Sequence, residues 1–103
     1  MFGASKQFRA IAQNRLGELR LRPYAELARM MGSTPDSITL GRRKGWLATV
    51  VEIVDGDTVQ VVVQGSLKCR WVPGLSDWFA DGFRINRGGG VMEVPDHVLR
   101  DFD

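Results

Sequence analysis

One cysteine, one histidine and one tyrosine stand among 103 residues. With Cys69 alone, no intrachain disulfide can form and a CxxC zinc site is excluded. A catalytic triad around His97 would need an activated nucleophile beside it. The residue reads instead as a surface histidine of a short terminal helix. No run approaches the ~18 to 20 apolar residues of a membrane helix, and Lys6, Arg9 and Arg15 interrupt any secretory hydrophobic segment. Residues 1–17 carry those three cations and no acid, a pattern shared with organellar presequences, but the same segment patterns as a structural helix. These absences point to a reducing, cytoplasmic setting of bacterial type, with no membrane partner.

What is present is ordinary for a globular chain: 44% hydrophobic and 25% charged residues. A single domain over 1–103 is expected, burying roughly 65% of its unfolded surface, enough for a core without staples. The net charge of +2 conceals an asymmetry. Residues 1–45 hold nine Lys/Arg against three Asp/Glu, and residues 46–103 hold five against nine. Such a split serves either a polyanion-binding face or two halves that attract each other.

Apolar residues at Phe8, Ile11, Ala12, Leu16 and Leu19 recur at helical spacing, predicting a helix from Ser5 to Arg22 with Ser5 as cap and Pro23 as stop. A second helix is expected from Pro23 through "YAELARMM", with Gly32 as its C-terminal glycine. "STPD" reads as a break, "SITL" as a short strand and "GRRKG" as a turn. Trp46 to Val54 and Asp57 to Gln64 read as a hairpin, Gly65 and Ser66 as a turn, and "LKCRWV" as a further strand. "LSDWFAD" suggests a turn or two of helix. "GFRIN" and "VMEV", joined by "RGGG", suggest a second hairpin, and Pro95 starts a helical turn with Val98, Leu99 and Phe102 inward. The fold class is therefore α+β: two N-terminal helices on a mostly antiparallel meander of about five strands, with a short C-terminal helix.

The stretch "EIVDGDTVQVVV", Glu52 to Val63, carries the sharpest chemical signal. A three-residue loop of Val54, Asp55 and Gly56 puts Leu47, Thr49, Val51 and Ile53 on one face with Val59, Val61 and Val63. Glu52, Thr58, Gln60 and Gln64 then share the other face, and Gly56 takes the left-handed position. The wider segment "VVEIVDGDTVQV" resembles the first motif of staphylococcal-nuclease-like domains. That resemblance implies a calcium-ligating carboxylate at Asp57 and a phosphate-holding Arg70. The chain departs from the family after Arg70, where "WVPGLS" brings no acid before Asp77. Calcium needs roughly six to eight oxygens, which Asp55 and Asp57 alone cannot supply. The stretch is read as a hairpin with an acidic tip, and no cofactor is expected.

"AELARMMGSTPDSITLGRRKG" resembles a helix-turn-helix, with Ala28, Gly32 and Ile38 as its small, turn and packing residues. With the hairpin after it, the order mimics a winged helix. That resemblance implies duplex DNA contacts from Arg42, Arg43 and Lys44. Against it, the candidate recognition segment holds an interior Gly41 and β-branched Ile38 and Thr39, which suit a strand.

Trp71, Trp78, Phe79 and Phe83 crowd thirteen residues between Arg70 and Arg84. Exposed, such a group binds a peptide or a single-stranded nucleic acid; buried, it fills the core. Cys69 alternates with Lys68 and Arg70 and reads as a buried small hydrophobe. "RGGGV" lacks the spacing of a phosphate cradle. The function expected from sequence is a non-enzymatic interaction or self-associating module using Trp71, Trp78, Phe83 and Arg84, its partner a protein or a second copy. The first alternative is a nucleic-acid binder using Arg42, Arg43 and Lys44, and the second, implied by the nuclease resemblance, is a degenerate hairpin with divalent-ion affinity at Asp55 and Asp57.

Overall fold

The apolar stripe of the first segment docks it on a sheet. In the computed structural model, which describes residues 3–68 and 76–100, helix α1 spans Gly3–Arg20 and buries Phe8, Ala12, Leu16 and Leu19. The helix begins two residues before Ser5, so Ser5 lies in its first turn and is not its cap. Its C-terminal end tightens, with the amides of Leu21 and Arg22 donating to the carbonyls of Glu18 and Leu19. Pro23, extended at φ −70 and ψ 159, then occupies the N-cap of α2 (Tyr24–Ala28) rather than its first turn. That helix is shorter than its sequence suggests. Gly32, at φ 120, opens the sheet and does not cap the helix.

Five strands follow in sequence order: β1 Gly32–Leu40, β2 Arg43–Asp55, β3 Thr58–Lys68, β4 Ser76–Asn86 and β5 Val91–Glu93. Each pairs antiparallel with its neighbour, giving a meander of order β1-β2-β3-β4-β5. A last helix, α3, covers Asp96–Arg100 and packs against β4. The α+β class and the five-stranded meander agree with the sequence reading. Phe102 lies outside the described residues. Among the described residues no helix is long and apolar enough to cross a membrane.

Several local expectations are corrected. The "STPD" break is part of β1, where Pro35 sits on an edge strand that needs no outward amide donor. Gly65 and Ser66 do not turn the chain, because β3 runs through them. A side chain at Gly65 would collide with the Trp46 carbonyl and with Leu47 and Phe8. The glycine is thus a site of close approach. "LSDWFAD" is strand, not helix, and β4 continues through Gly82, where a Cβ would strike the backbone at Val61 and Val62.

One face of the sheet carries Leu47, Val51, Val59, Val61, Val63, Leu67, Phe79, Phe83 and Ile85, all packed with α1 and with Leu27 of α2. Arg20 covers this core from above, its guanidinium carbon 5.4 Å from the Phe83 ring centroid. The β2–β3 faces are those the alternation predicts. The register differs by one pleat: Val51 stands opposite Val61, and Ile53 opposite Val59. Val54 is the extra residue at a shift between Ile53 and Asp55, and Gly56 and Asp57 form the turn. Gly56 is absent from the glycines of positive φ, so the left-handed closure does not occur there.

Candidate binding face

On the sheet face away from α1 the register places side chains in rungs. Trp46 is opposite Ser66, and Ser66 is opposite Trp78. The small buried Ser66 leaves room for the indoles to meet above it. Their centroids lie 6.3 Å apart with planes at 85°, an edge-to-face contact. Both rings face solvent, Trp46 being 36% and Trp78 48% exposed.

The neighbouring rung toward the strand ends carries Thr39 and Lys44 on one side and Lys68 and Ser76 on the other. Lys44 and Lys68 are exposed, as is Arg42 in the β1–β2 turn. That turn is closed by Gly41 at φ 63, with no positive φ at Arg42, as a type II′ hairpin requires. On the other side of the tryptophans Pro35, Ala48, Gln64 and Ala80 share one rung and Ser33, Val50, Val62 and Gly82 the next, with Ala48, Val62 and Gly82 buried.

A polar bridge crosses three strands farther along. Gln60, 1% exposed, donates from Nε2 to Glu52 Oε1 at 2.9 Å and accepts at Oε1 from Arg84 Nε at 2.9 Å. Both partners are side chains of the same rung, so the buried amide is satisfied.

The sequence-derived group does not assemble as one surface. Trp78 and Phe83 are an odd number of residues apart on one strand and face opposite sides. Phe83 is fully buried in the core and cannot serve as a contact residue. Arg84 shares a face with Trp78, yet about 20 Å of strand separates them, and Arg84 is engaged with Gln60. Trp71, Arg70 and Cys69 lie outside the described residues. Trp46 is the partner that sequence reasoning missed. The pairing was hidden because it depends on β3 continuing through Gly65 and Ser66.

The basic segment is divided as well. Ile38 to Leu40 belong to β1, so the recognition helix required by a winged-helix arrangement is a strand. Arg43 donates from Nε to the Lys68 carbonyl at 2.7 Å and from Nη2 to the Leu67 carbonyl at 3.3 Å, closing the end of β3. Arg42 and Lys44 keep their exposure. Elsewhere in the basic half Lys6, Arg9 and Arg29 are exposed, and two arginines are engaged in ion pairs. Arg15 pairs with Asp36 at 2.8 Å, although its buried Nη1 lacks hydrogen-bond geometry, and Arg22 pairs with Glu26 at 3.1 Å.

The acidic tip is tied to the second hairpin. The Arg87 amide donates to the Asp57 carbonyl at 2.9 Å, and Arg87 Nη2 lies 3.5 Å from Asp57 Oδ1. Asp55 ends β2. Among the described residues no group of three or more His, Cys, Asp or Glu gathers that could hold a metal ion. His97 is exposed on α3. The "RGGG" turn is organised by Asn86, whose Oδ1 accepts from the Gly90 amide at 2.8 Å, with Gly89 at φ 89.

No protein-family model, curated protein or solved structure matches this chain.

Proposed function

We propose that this chain is a small non-enzymatic binding module, needing no cofactor, that holds its ligand at the Trp46–Trp78 end of the sheet. The observation that carries the reading is the indole pair. Two of the largest apolar side chains stand partly in solvent, in contact with each other, on the side away from α1. Tryptophan is enriched among the few residues that dominate binding energy, because it offers a large rigid surface with one polar handle.

The module acts in a reducing cytoplasm, a setting supported by the single cysteine. Self-association through a sheet edge is a less favoured use of the fold. β1 carries Pro35, which offers no amide to a partner strand, and β5 is only three residues long.

The test is to follow the indole N–H signals of Trp46 and Trp78 while adding peptides of varied charge, oligonucleotides, and increasing concentrations of the protein itself. Movement of both signals by one class of ligand, with binding lost in the doubly substituted Trp46→Ala/Trp78→Ala protein, supports the reading. If every ligand that binds leaves both indoles unmoved, the site is elsewhere.

A further inference from the structure

We infer that the ligand of this surface is a single strand of nucleic acid, an inference that rests on the indole pair being the binding site. The sequence separates an aromatic group from a basic turn; the register joins them. Lys44 lies two residues before Trp46 on the same strand and therefore on the same face. Lys68 is the diagonal neighbour of Trp78, since Lys68 pairs with Ser76 and Ser66 with Trp78. Diagonal positions are about 7–8 Å apart, within reach of long side chains. Arg42 extends the exposed positive charge around the turn.

The acids whose side chains are described lie elsewhere. Asp36 is on the α1 face in its ion pair with Arg15, and Glu52 and Asp57 are at the opposite end of the hairpin. Three exposed cations thus flank two exposed indoles on one side. Single strands are held by this combination, with phosphates on the cations and unstacked bases on the aromatic faces. A duplex keeps its bases stacked and offers the indoles nothing. The rings are open to a base by their own exposure, 36% for Trp46 and 48% for Trp78, while Ala48 in the next rung is buried.

The experiment titrates the full chain with a thymidine oligonucleotide of about fifteen residues and with a duplex of equal length. The readouts are the Trp46 and Trp78 indole signals and the dissociation constant at several salt concentrations. Single-strand binding should move both signals. Its log K should fall with log salt at a slope of about −2, the value for three phosphate contacts at −0.7 each. Trp46→Ala and Trp78→Ala should each weaken it by roughly 5- to 150-fold, the range for loss of one stacked base. Trp→Phe variants should retain most of the affinity, and Lys44→Ala should flatten the slope by about 0.7.

Absence of binding at about 20 mM salt, equal or tighter binding of the duplex, or indifference to both tryptophan substitutions overturns the inference. If an acidic peptide moves the indoles and the oligonucleotide does not, the nucleic-acid assignment fails while the binding module stands.

Discussion

Trp46 and Trp78 touch edge to face across a strand that separates them: β3 lies between β2 and β4, and Ser66 is the residue over which the indoles meet. The contact therefore reports the register of two strand pairs at once. Because the rings are 36% and 48% exposed, each truncation removes less buried area than a core aromatic would. Trp46→Ala and Trp78→Ala should each cost about 1 kcal/mol in urea unfolding, with a coupling of roughly 0.5–1.5 kcal/mol in the double-mutant cycle. Strict additivity would mean that the rings are not in contact in solution.

Glycines offer a contrast in sign. A methyl at Gly65 or Gly82 would press on neighbouring backbone, whereas one at Gly17, on the exposed side of α1, meets nothing within 4 Å. Gly65→Ala and Gly82→Ala should each destabilise by about 2–4 kcal/mol, and Gly17→Ala should stabilise by about 0.5–1 kcal/mol. Thermal unfolding of the three variants checks this. If Gly65→Ala is neutral, the close approach of β2, β3 and α1 is wrong.

The sequence made part of this architecture readable, and the reasons are local. Alternation over Leu47 to Ile53 and over Val59 to Val63 marked the core face, since Leu47 is followed by Ala48, Val51 by Glu52, Val59 by Gln60 and Val63 by Gln64, and these pairs outweigh Thr49–Val50 and Val61–Val62. It failed in β4, where Trp78 faces away from α1 and the adjacent Phe79 faces the core, so both sides carry bulk and the period of two disappears. Gly65 failed for a different reason. Glycine at a close approach and glycine in a turn are the same letter, and only Phe8 and Leu47, distant in sequence, distinguish them. The site inherited that difficulty, because Trp46 and Trp78 come together only after the turn at Gly65 is removed.

Gln60 joins strands that the hydrophobic pattern alone would leave free to slip. Gln60→Leu keeps approximate volume but removes both side-chain hydrogen bonds. It should cost about 1–2 kcal/mol, measured by denaturant midpoint at unchanged m-value. An unchanged or raised midpoint would show that Glu52 and Arg84 find equivalent partners in water.

Calcium should not stabilise the fold. Asp57 lies beside Arg87 in a solvent-exposed pair, and among the described residues no group of three or more acidic, histidine or cysteine side chains gathers at the tip. Millimolar calcium and a chelator should leave the melting temperature within error of each other. A rise of several degrees with calcium alone would restore the ion-binding interpretation of "DGDT".

In the meander, every strand lies beside its immediate successor, so each hairpin can close as soon as its second arm leaves the ribosome. Helix α1, made before every strand it packs on, has no such advantage. Phe8 and Leu16 of α1 reach their partners only after β3 and β4 have been synthesised, with Phe83 among the last to arrive. While β1 to β3 are being made, the apolar stripe of α1 stays unsheltered, and the order of synthesis runs opposite to the order in which that stripe can be covered.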